Sequence, residues 1–260
     1  MLGHMPHAAA DLNTAAPRSA RRVADVWTDL ATDTTTLADF SVDMVSGLPE
    51  PVARWLLRSI DVGAALRTSV IVTMSGQIRI GAWRAFEARQ IIAARRGYIW
   101  AAVARFGPLP VRGFDRYSDG SGEMRWRLGG LIPVVTATGD DVSRSAAGRL
   151  ASELILTPAA ALSPGVNWTA VDEDSAMAAV EVDGTIHDVT IHVSASGTLD
   201  SIELLRWGDP DQTGFGLHRF SAVCTGELRS DGFGVPAHTR AGWGDLEAFI
   251  DFDTERTEFL

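Results

Sequence analysis

The sequence contains no lysine, so all 23 of its basic residues are arginines. A phosphate-binding P-loop, a Schiff base and a lysine general base each require a lysine side chain, and these three kinds of site are therefore excluded. Acidic residues number 33 and the formal net charge is -10, which disfavours sequence-independent binding to nucleic acid phosphates. We expect no nucleic acid partner.

Cysteine is almost absent too. Cys224 is the single cysteine, which excludes an intramolecular disulfide framework and a cysteine zinc cluster and suits a reducing cytoplasm. No stretch approaches the roughly 20 apolar residues that a membrane-spanning helix needs. Residues 1–20 are rich in Ala, Pro and His but lack the continuous apolar core of a secretory signal. They are predicted to form a disordered leader, and the protein is expected to be cytoplasmic.

Common catalytic and cofactor motifs are missing as well. There is no G-x-S-x-G elbow, no G-x-G-x-x-G loop after a strand, no H-E-x-x-H and no Walker A pattern. Asp188 and His192 share one face of a predicted strand, whereas His187 lies on the other, so the three do not converge on a metal. His218 is predicted to be the one interior histidine, as a core residue. We predict no metal, flavin or nicotinamide cofactor.

Residues 21–66 are predicted to be a helical segment. Val23, Trp27 and Leu30 recur at helical spacing in a first helix that reaches residue 39. A second helix begins near Pro51, because proline in a first turn costs no hydrogen bond, and Gly63 is expected to end it.

From residue 67 the hydrophobic period changes to two, which is typical of strands with one buried face. The glycines of the Asp119-Gly120-Ser121-Gly122 segment predict a hairpin turn. Residues 143–157 return to helical spacing, with Ser143 or Ser145 as the N-cap and Pro158 as the end. About five strands precede this helix and about six follow it.

Strands joined by such short turns pair antiparallel. We therefore predict a mainly β (α+β) fold, in which a strongly curved antiparallel sheet or open β-barrel holds helix 143–157 against its concave face, with N-terminal helices. The predicted organisation is a leader over residues 1–20, a helical segment over 21–66 and one sheet domain over 67–260.

Four segments of the chain form a recognisable set: residues 83–90 (WRAFEARQ), 97–102 (GYIWAA), 115–124 (DRYSDGSGEM) and 149–153 (RLASE), followed by Pro158. They resemble a bacterial family known as a domain of unknown function, DUF6544. Residues 48–52, Trp168, Arg206, Pro236 and Trp243 resemble the family more weakly, so the resemblance covers most of residues 48–260. It implies a curved antiparallel sheet like that of lipoprotein-carrier folds, and no established activity.

The chain departs from the family pattern in two places. Leu154-Ile155-Leu156-Thr157 lacks the aromatic residue that usually precedes the helix-ending proline, and a usual tryptophan is replaced within residues 217–220. Both changes would reshape a pocket.

Polar side chains fall on apolar strand faces at two points. Asp115 and Tyr117 share a face with Val111, and Gln90 shares one with Phe86. If these faces line a concavity, a carboxylate, a phenol and an amide converge on an apolar cavity, which is the usual composition of a small-molecule site.

Arg149 and Glu153 lie four residues apart on the predicted helix and can pair. If the helix packs into the sheet, Asp115 and Glu153 flank Arg149 in a buried structural network. In the functional alternative, Asp115 or Glu153 is a general acid or base.

Six tryptophans lie in the β region, and their rings suit either the walls of an apolar pocket or ordinary core packing. Arg206 shares a face with Ile202 and Leu204, where it would anchor an acidic ligand group or remain a surface arginine. We predict Asp115 and Glu153 as catalytic candidates. The predicted ligand contacts are Trp83, Phe86, Gln90, Trp100, Tyr117, Trp126, Arg149, Arg206 and Trp243.

Three functions remain open from the sequence. The first is binding of an apolar small molecule, lipid-, polyketide- or terpenoid-like, in an aromatic-lined cavity. The second is a cofactor-independent cyclase or isomerase that positions such a molecule and moves a proton. The third is a structural or partner-binding domain whose concavity is filled by its own side chains. A cavity of roughly 300 Å³ or more, lined by tryptophan and Gln90, favours the first two.

Overall fold

A single antiparallel sheet organises the structure, a computed structural model that describes residues 14–32, 38–244 and 247–260. Six strands precede the central helix: β1 (Ser69–Ile80), β2 (Ala82–Ala93), β3 (Gly97–Phe106), β4 (Leu109–Ser118), β5 (Ser121–Leu128) and β6 (Ile132–Thr138). Seven follow it: β7 (Val166–Ala170), β8 (Ser175–Val182), β9 (Thr185–Val193), β10 (Leu199–Gly208), β11 (Gly216–Ser230), β12 (Phe233–Trp243) and β13 (Ile250–Phe259).

The strand order is β6-β5-β4-β3-β2-β1-β13-β12-β11-β10-β9-β8-β7. The first meander is β1–β6 and the second is β7–β13. They are joined where the first strand pairs with the last, Val70 opposite Phe259. Within the described residues β6 and β7 are the two edges, so the sheet is open. Asp119 and Gly120 have φ angles of 50° and 71° in the predicted hairpin turn. This left-handed pair matches the twist of the flanking strands.

The sheet curves until parts of its two meanders meet. The hydroxyl of Tyr117, at the end of β4, donates a hydrogen bond to Asp183 Oδ2 in the β8–β9 turn, with 2.6 Å between the two oxygens. Arg95, in the β2–β3 turn, donates to the carbonyl of Glu181 at 3.0 Å. The concave face carries the main core, because alternate residues of the strands other than β6 point into it.

Helix α3 (Asp140–Ser152) lies against this concave face and contacts both meanders. The backbone N–H of Gly122 in β5 donates to Ser143 Oγ at 2.9 Å, and Arg206 in β10 donates to the carbonyl of Ser145 at 3.0 Å. The predicted fold class is therefore confirmed: a mainly β, curved and open antiparallel sheet with a helix on its concave side.

The predicted bounds of this helix need correction. It begins at Asp140, with Gly139 as the N-cap, and Ser143 does not cap it because its hydroxyl donates to the Gly139 carbonyl. The chain tightens to a 3-10 turn over Glu153–Leu156. Pro158 then begins a further 3-10 turn, Pro158–Leu162, where its missing N–H costs nothing.

The N-terminal residues cover the convex face. A 3-10 turn, Arg18–Val23, leads into α1 (Ala24–Thr32), whose Trp27 and Leu30 pack on Ile71 and Phe114 from the outward side of the sheet. The disordered leader stays a prediction; of its residues the structure describes 14–20, where Ala20 is fully buried and the Thr14 carbonyl accepts a hydrogen bond from Trp27 Nε1 at 2.8 Å. Residues 1–13, and residues 33–37 at the predicted end of the first helix, lie outside the described part.

Helix α2 (Glu50–Ser59) packs into the concave-side core through Val52 and Trp55. It ends before Gly63, because Ile60 already takes extended backbone and bridges to Phe233. A short 3-10 turn, Val42–Val45, precedes it. No helix in the described ranges is long and apolar enough to cross a membrane. The division of the chain at residues 20 and 66 stays a prediction.

We expect Tyr117→Phe to lower the free energy of unfolding by about 1–3 kcal/mol, because it removes a hydrogen bond to a carboxylate between the two meanders. Urea denaturation measures this. Asp183→Asn is the control: the amide oxygen still accepts, and asparagine tolerates the left-handed backbone at this position. A Tyr117→Phe midpoint equal to that of the parent would show that this contact does not hold the meanders together.

Candidate functional site

A cavity of about 510 Å³ lies between the concave face of the sheet and the C-terminal half of α3. Its wall is mostly apolar and draws on both meanders and the Glu153–Leu156 turn. Apolar residues at the wall include Met74, Trp100, Ile155, Leu156, Ile202, Phe220, Trp243, Phe249 and Phe252. Phe215, in the β10–β11 turn, is the wall residue with substantial exposure, at 46%, and marks the side that meets solvent. The concavity is therefore not filled by the protein's own side chains.

Seven of the eleven predicted site residues lie at this wall. They are Gln90, Trp100, Asp115, Arg149, Glu153, Arg206 and Trp243. The period-two pattern directs Gln90, Asp115 and Arg206 inward from the middle of their strands, and α3 brings Arg149 and Glu153 down onto them. Their roles in binding or catalysis stay predictions.

Arg149 is the centre of a polar network. Its Nε donates to Glu153 Oε1 at 2.9 Å, and its Nη1 lies 3.6 Å from Asp115 Oδ2. Gln90 Nε2 donates to the same Glu153 oxygen at 2.8 Å, and Trp126 Nε1 donates to Asp115 Oδ1 at 2.8 Å. The carboxylates of Asp115 and Glu153 thus flank the Arg149 guanidinium, as predicted for a structural network between the helix and the sheet.

Burial sets the electrostatics of this network. It raises the pKa of Asp115 above its ordinary value, because lost hydration outweighs the attraction of Arg149 and the hydrogen bond from Trp126. Burial alone would lower the pKa of Arg149, but Tyr98, Glu153 and Asp115 outweigh it and the pKa is raised. Tyr98, whose ring centroid lies 4.6 Å from the Arg149 guanidinium, has its pKa raised to about 12 by burial. Arg149 therefore stays charged and Tyr98 neutral at pH 7.

Arg206 is the second cation of the wall. Its hydrogen bonds go to the carbonyl and hydroxyl of Ser145, and its guanidinium lies over the rings of Phe220 and Trp243, 5.2 and 4.9 Å from their centroids. Within the described ranges no carboxylate lies at ion-pair distance from it. Burial lowers the pKa of Arg206 to about 10, so the side chain is still charged at neutral pH. Arg206 is therefore a partly buried cation at the wall of the cavity.

Four predicted ligand contacts do not reach the wall. Phe86 and Trp126 pack edge-on or tilted against Trp100, each with ring centroids 5.6 Å away, and so support it from behind. Tyr117 is turned toward Asp183. Trp83 is 38% exposed, because β2 pairs with β3 only from Phe86 onward and the β1–β2 hairpin projects beyond its neighbour.

The part of the cavity wall contributed by the C-terminal strands was not predicted from the sequence. Phe220, Thr239, Ala241, Phe249 and Phe252 lie there. The alternation of Phe220 with Ala222 signalled an inward face, but the pairing of β13 with β1 that closes this side is a long-range contact.

The histidine prediction also needs correction. His187 and His218 are both only partly buried: His187 packs on α3 at Gly148, and its Nε2 is buried without a hydrogen-bond partner in the described structure. Burial lowers the pKa of His187. No cluster of three metal-ligating side chains occurs in the ranges that the structure describes.

Fold and cavity together define a curved, open-sheet protein with a helix-covered internal site. The model of the DUF6544 family, described as a family of unknown function, matches residues 38–250. The chain belongs to this family. No curated protein matches it.

Three solved structures are similar to the chain at low identity. A putative outer membrane lipoprotein-sorting protein domain from Vibrio parahaemolyticus has 6% identity and a TM-score of 0.39, covering 74% of this chain and 85% of that one. A LolA superfamily protein from Nitrosomonas europaea has 9% identity and a TM-score of 0.44, and the match covers 83% of this chain and 94% of that one. A DUF1329 family protein from Desulfovibrio piger has 11% identity and a TM-score of 0.36, and the match covers 74% of this chain and 86% of that one. These values are too low to carry an inference about ligand or activity.

The raised pKa of Asp115 has a consequence for stability. Because the folded state binds this proton more tightly than the unfolded state, the parent should gain stability relative to Asp115→Asn as the pH falls from neutral toward 3.8. Unfolding free energies of both proteins across this pH range measure the difference.

Glu123→Gln is the control, because the opposite dependence of stability on pH is expected for it. Burial raises the pKa of Glu123, but hydrogen bonds from Arg116 and Arg125 outweigh it and the pKa is lowered. Its stabilising contribution is therefore lost as the pH falls, and the parent should lose stability relative to Glu123→Gln. Equal pH slopes for the two variants would contradict the assignment for Asp115.

Proposed function

We propose that the chain binds an apolar small molecule carrying an acidic group, lipid-like in character, in the cavity under α3. The observation that carries the proposal is the partly buried Arg206 guanidinium, which faces a cavity of about 510 Å³ without a carboxylate partner among the described residues. A polyketide- or terpenoid-like acid fits the same description. We place the protein in the cytoplasm, where the buried Cys224 thiol would stay reduced.

The arrangement of charge supports an acidic rather than a neutral head group. Arg149 is already neutralised by Asp115 and Glu153, whereas Arg206 is held by Ser145 and two aromatic rings. A cation that has lost part of its hydration is stabilised by a partner of opposite charge. A ligand carboxylate at Arg206 would supply the missing partner, and its apolar chain would cover Phe220, Trp243 and Phe249.

The test compares two probes of equal length, decanoate and 1-decanol, by isothermal titration calorimetry. The parent should prefer decanoate. Arg206→Met should weaken decanoate binding roughly 10- to 100-fold, the value of a charge-assisted hydrogen bond, and leave 1-decanol binding within about twofold. Arg206→Lys, which keeps the charge, should retain part of the preference. Equal losses for both probes in Arg206→Met would mean that the arginine only shapes the cavity.

A second candidate is a cofactor-independent cyclase or isomerase acting on such a molecule. The position of Asp115 favours it, because this carboxyl lines the cavity and burial raises its pKa toward the range of a general acid. With a molecule released from the purified protein as substrate, Asp115→Asn should bind it normally and turn it over about 10²–10⁴ times more slowly. Unchanged turnover would remove Asp115 from this role.

A further inference from the structure

The β1–β2, β3–β4 and β5–β6 hairpin turns of the first meander lie side by side, at the same end of its strands. β1–β2 turns after Ile80, β3–β4 after Phe106 and β5–β6 after Leu128, and the strands between them pair in order. Gly129 N–H donates to the Pro110 carbonyl, which ties two of the tips together. We call residues 79–84, 105–112 and 127–135 the hairpin edge.

Large apolar side chains are exposed along the hairpin edge. Leu131 is 79% exposed and Ile132 63%, and Ile80, Trp83, Leu109 and Val134 are exposed as well. The turns at the opposite ends of the strands are mostly polar: they carry Arg95 and Arg96, Asp119, and residues 172–174, with Val171 as an isolated exposed apolar residue. Exposed apolar residues gathered on one side of a protein mark an interaction surface.

The hairpin edge is also basic. Its three segments contain five arginines and no acidic residue, in a chain whose net charge is -10. Arg79 and Arg105 pair with Glu247 and Glu87, which lie outside the segments. Of the others, Arg84 stacks over Phe106, and Arg127 donates to the Leu131 carbonyl. Within the described structure Arg84, Arg112 and Arg127 have no carboxylate at ion-pair distance.

We propose that the hairpin edge docks on an anionic lipid surface. Tryptophan and aliphatic tips enter the boundary between head groups and acyl chains, and arginines beside them bind lipid phosphates. Self-association through this edge would instead bring the arginines of two copies together, which is unfavourable. The proposal rests on the exterior of the sheet and does not require that the cavity hold a ligand.

The experiment is flotation of the full chain with vesicles at low and high salt. One set is phosphatidylcholine alone, and the other is an equimolar mixture of phosphatidylcholine and phosphatidylglycerol. The parent should float with the mixed vesicles at low salt, bind them at least tenfold less at high salt, and bind phosphatidylcholine weakly.

Two pairs of substitutions test the residues. Leu131→Ser with Ile132→Ser should reduce binding to mixed vesicles at least tenfold, because both side chains are exposed and the fold does not depend on them. Arg112→Gln with Arg127→Gln should reduce it about fivefold for each charge removed. The controls are Val62→Ser with Val171→Ser, exposed apolar residues away from this edge, and Arg21→Gln with Arg22→Gln on the convex side. These should float like the parent.

Several results would overturn the proposal. They are absence of flotation of the parent at low salt, undiminished flotation of the Leu131→Ser, Ile132→Ser variant, or equal losses in the control variants. Sedimentation equilibrium without vesicles covers the alternative occupant: a dimer that this same variant dissociates would assign the edge to a second copy of the chain. Flotation of Arg206→Met and the parent is expected to be equal, which separates this proposal from the one about the cavity.

Discussion

Arg149→Ala should lower the free energy of unfolding by about 3–5 kcal/mol, enough to unfold many proteins of ordinary stability. The substitution leaves the carboxylates of Asp115 and Glu153 at the cavity wall without their common cation. It also removes the guanidinium that covers the Tyr98 ring. Chemical denaturation at pH 7 measures the loss.

Arg144→Ala is the matched control on the same helix. Arg144 is exposed and its guanidinium lies 3.7 Å from the Trp207 ring centroid, a contact worth about 1 kcal/mol or less at such a site. If Arg149→Ala unfolds at the same denaturant concentration as the parent, the three side chains do not form a buried network. The position of α3 against the sheet would then need another explanation.

Ala222→Trp should abolish measurable binding of decanoate. Ala222 lines the cavity, so an indole there occupies the space of the ligand's chain. Exclusion of about four methylene groups, at about 0.8 kcal/mol each, weakens binding roughly 100-fold or more. Calorimetric titration of the variant against the parent measures this effect.

The neighbouring residue provides the control for this substitution. Val223 is 54% exposed on the opposite face of β11, so Val223→Trp adds the same side chain outside the cavity and should bind decanoate like the parent. Retained binding in Ala222→Trp, with a folded protein, would place the ligand elsewhere.

Local alternation in the sequence predicted the inward polar residues well. Gln90, Asp115 and Arg206 each sit among apolar neighbours two residues away, and a strand has only two faces, so each points where its neighbours point. The pairing of Arg149 with Glu153 followed from helical spacing in the same way.

Features that depend on distant contacts could not be read in this way. Trp83 lies in β2, where its hairpin projects past the end of β3. The alternation of polar and apolar residues in one strand does not show where the neighbouring strand stops. Phe249 and Phe252 reach the cavity because β13 pairs with β1, across most of the chain length. Helix α3 begins at Asp140, and Ser143 instead accepts a hydrogen bond from Gly122 N–H in β5, a contact that a local capping pattern does not include.

Native mass spectrometry of the parent and Ala222→Trp, each incubated with an equimolar mixture of decanoate and 1-decanol, tests whether an apolar acid binds in the cavity under α3. The parent should carry one bound decanoate and little bound 1-decanol, and Ala222→Trp should carry no adduct. A parent that binds neither molecule, or an Ala222→Trp protein that carries the same adduct as the parent, would contradict binding of an apolar acid in the cavity under α3.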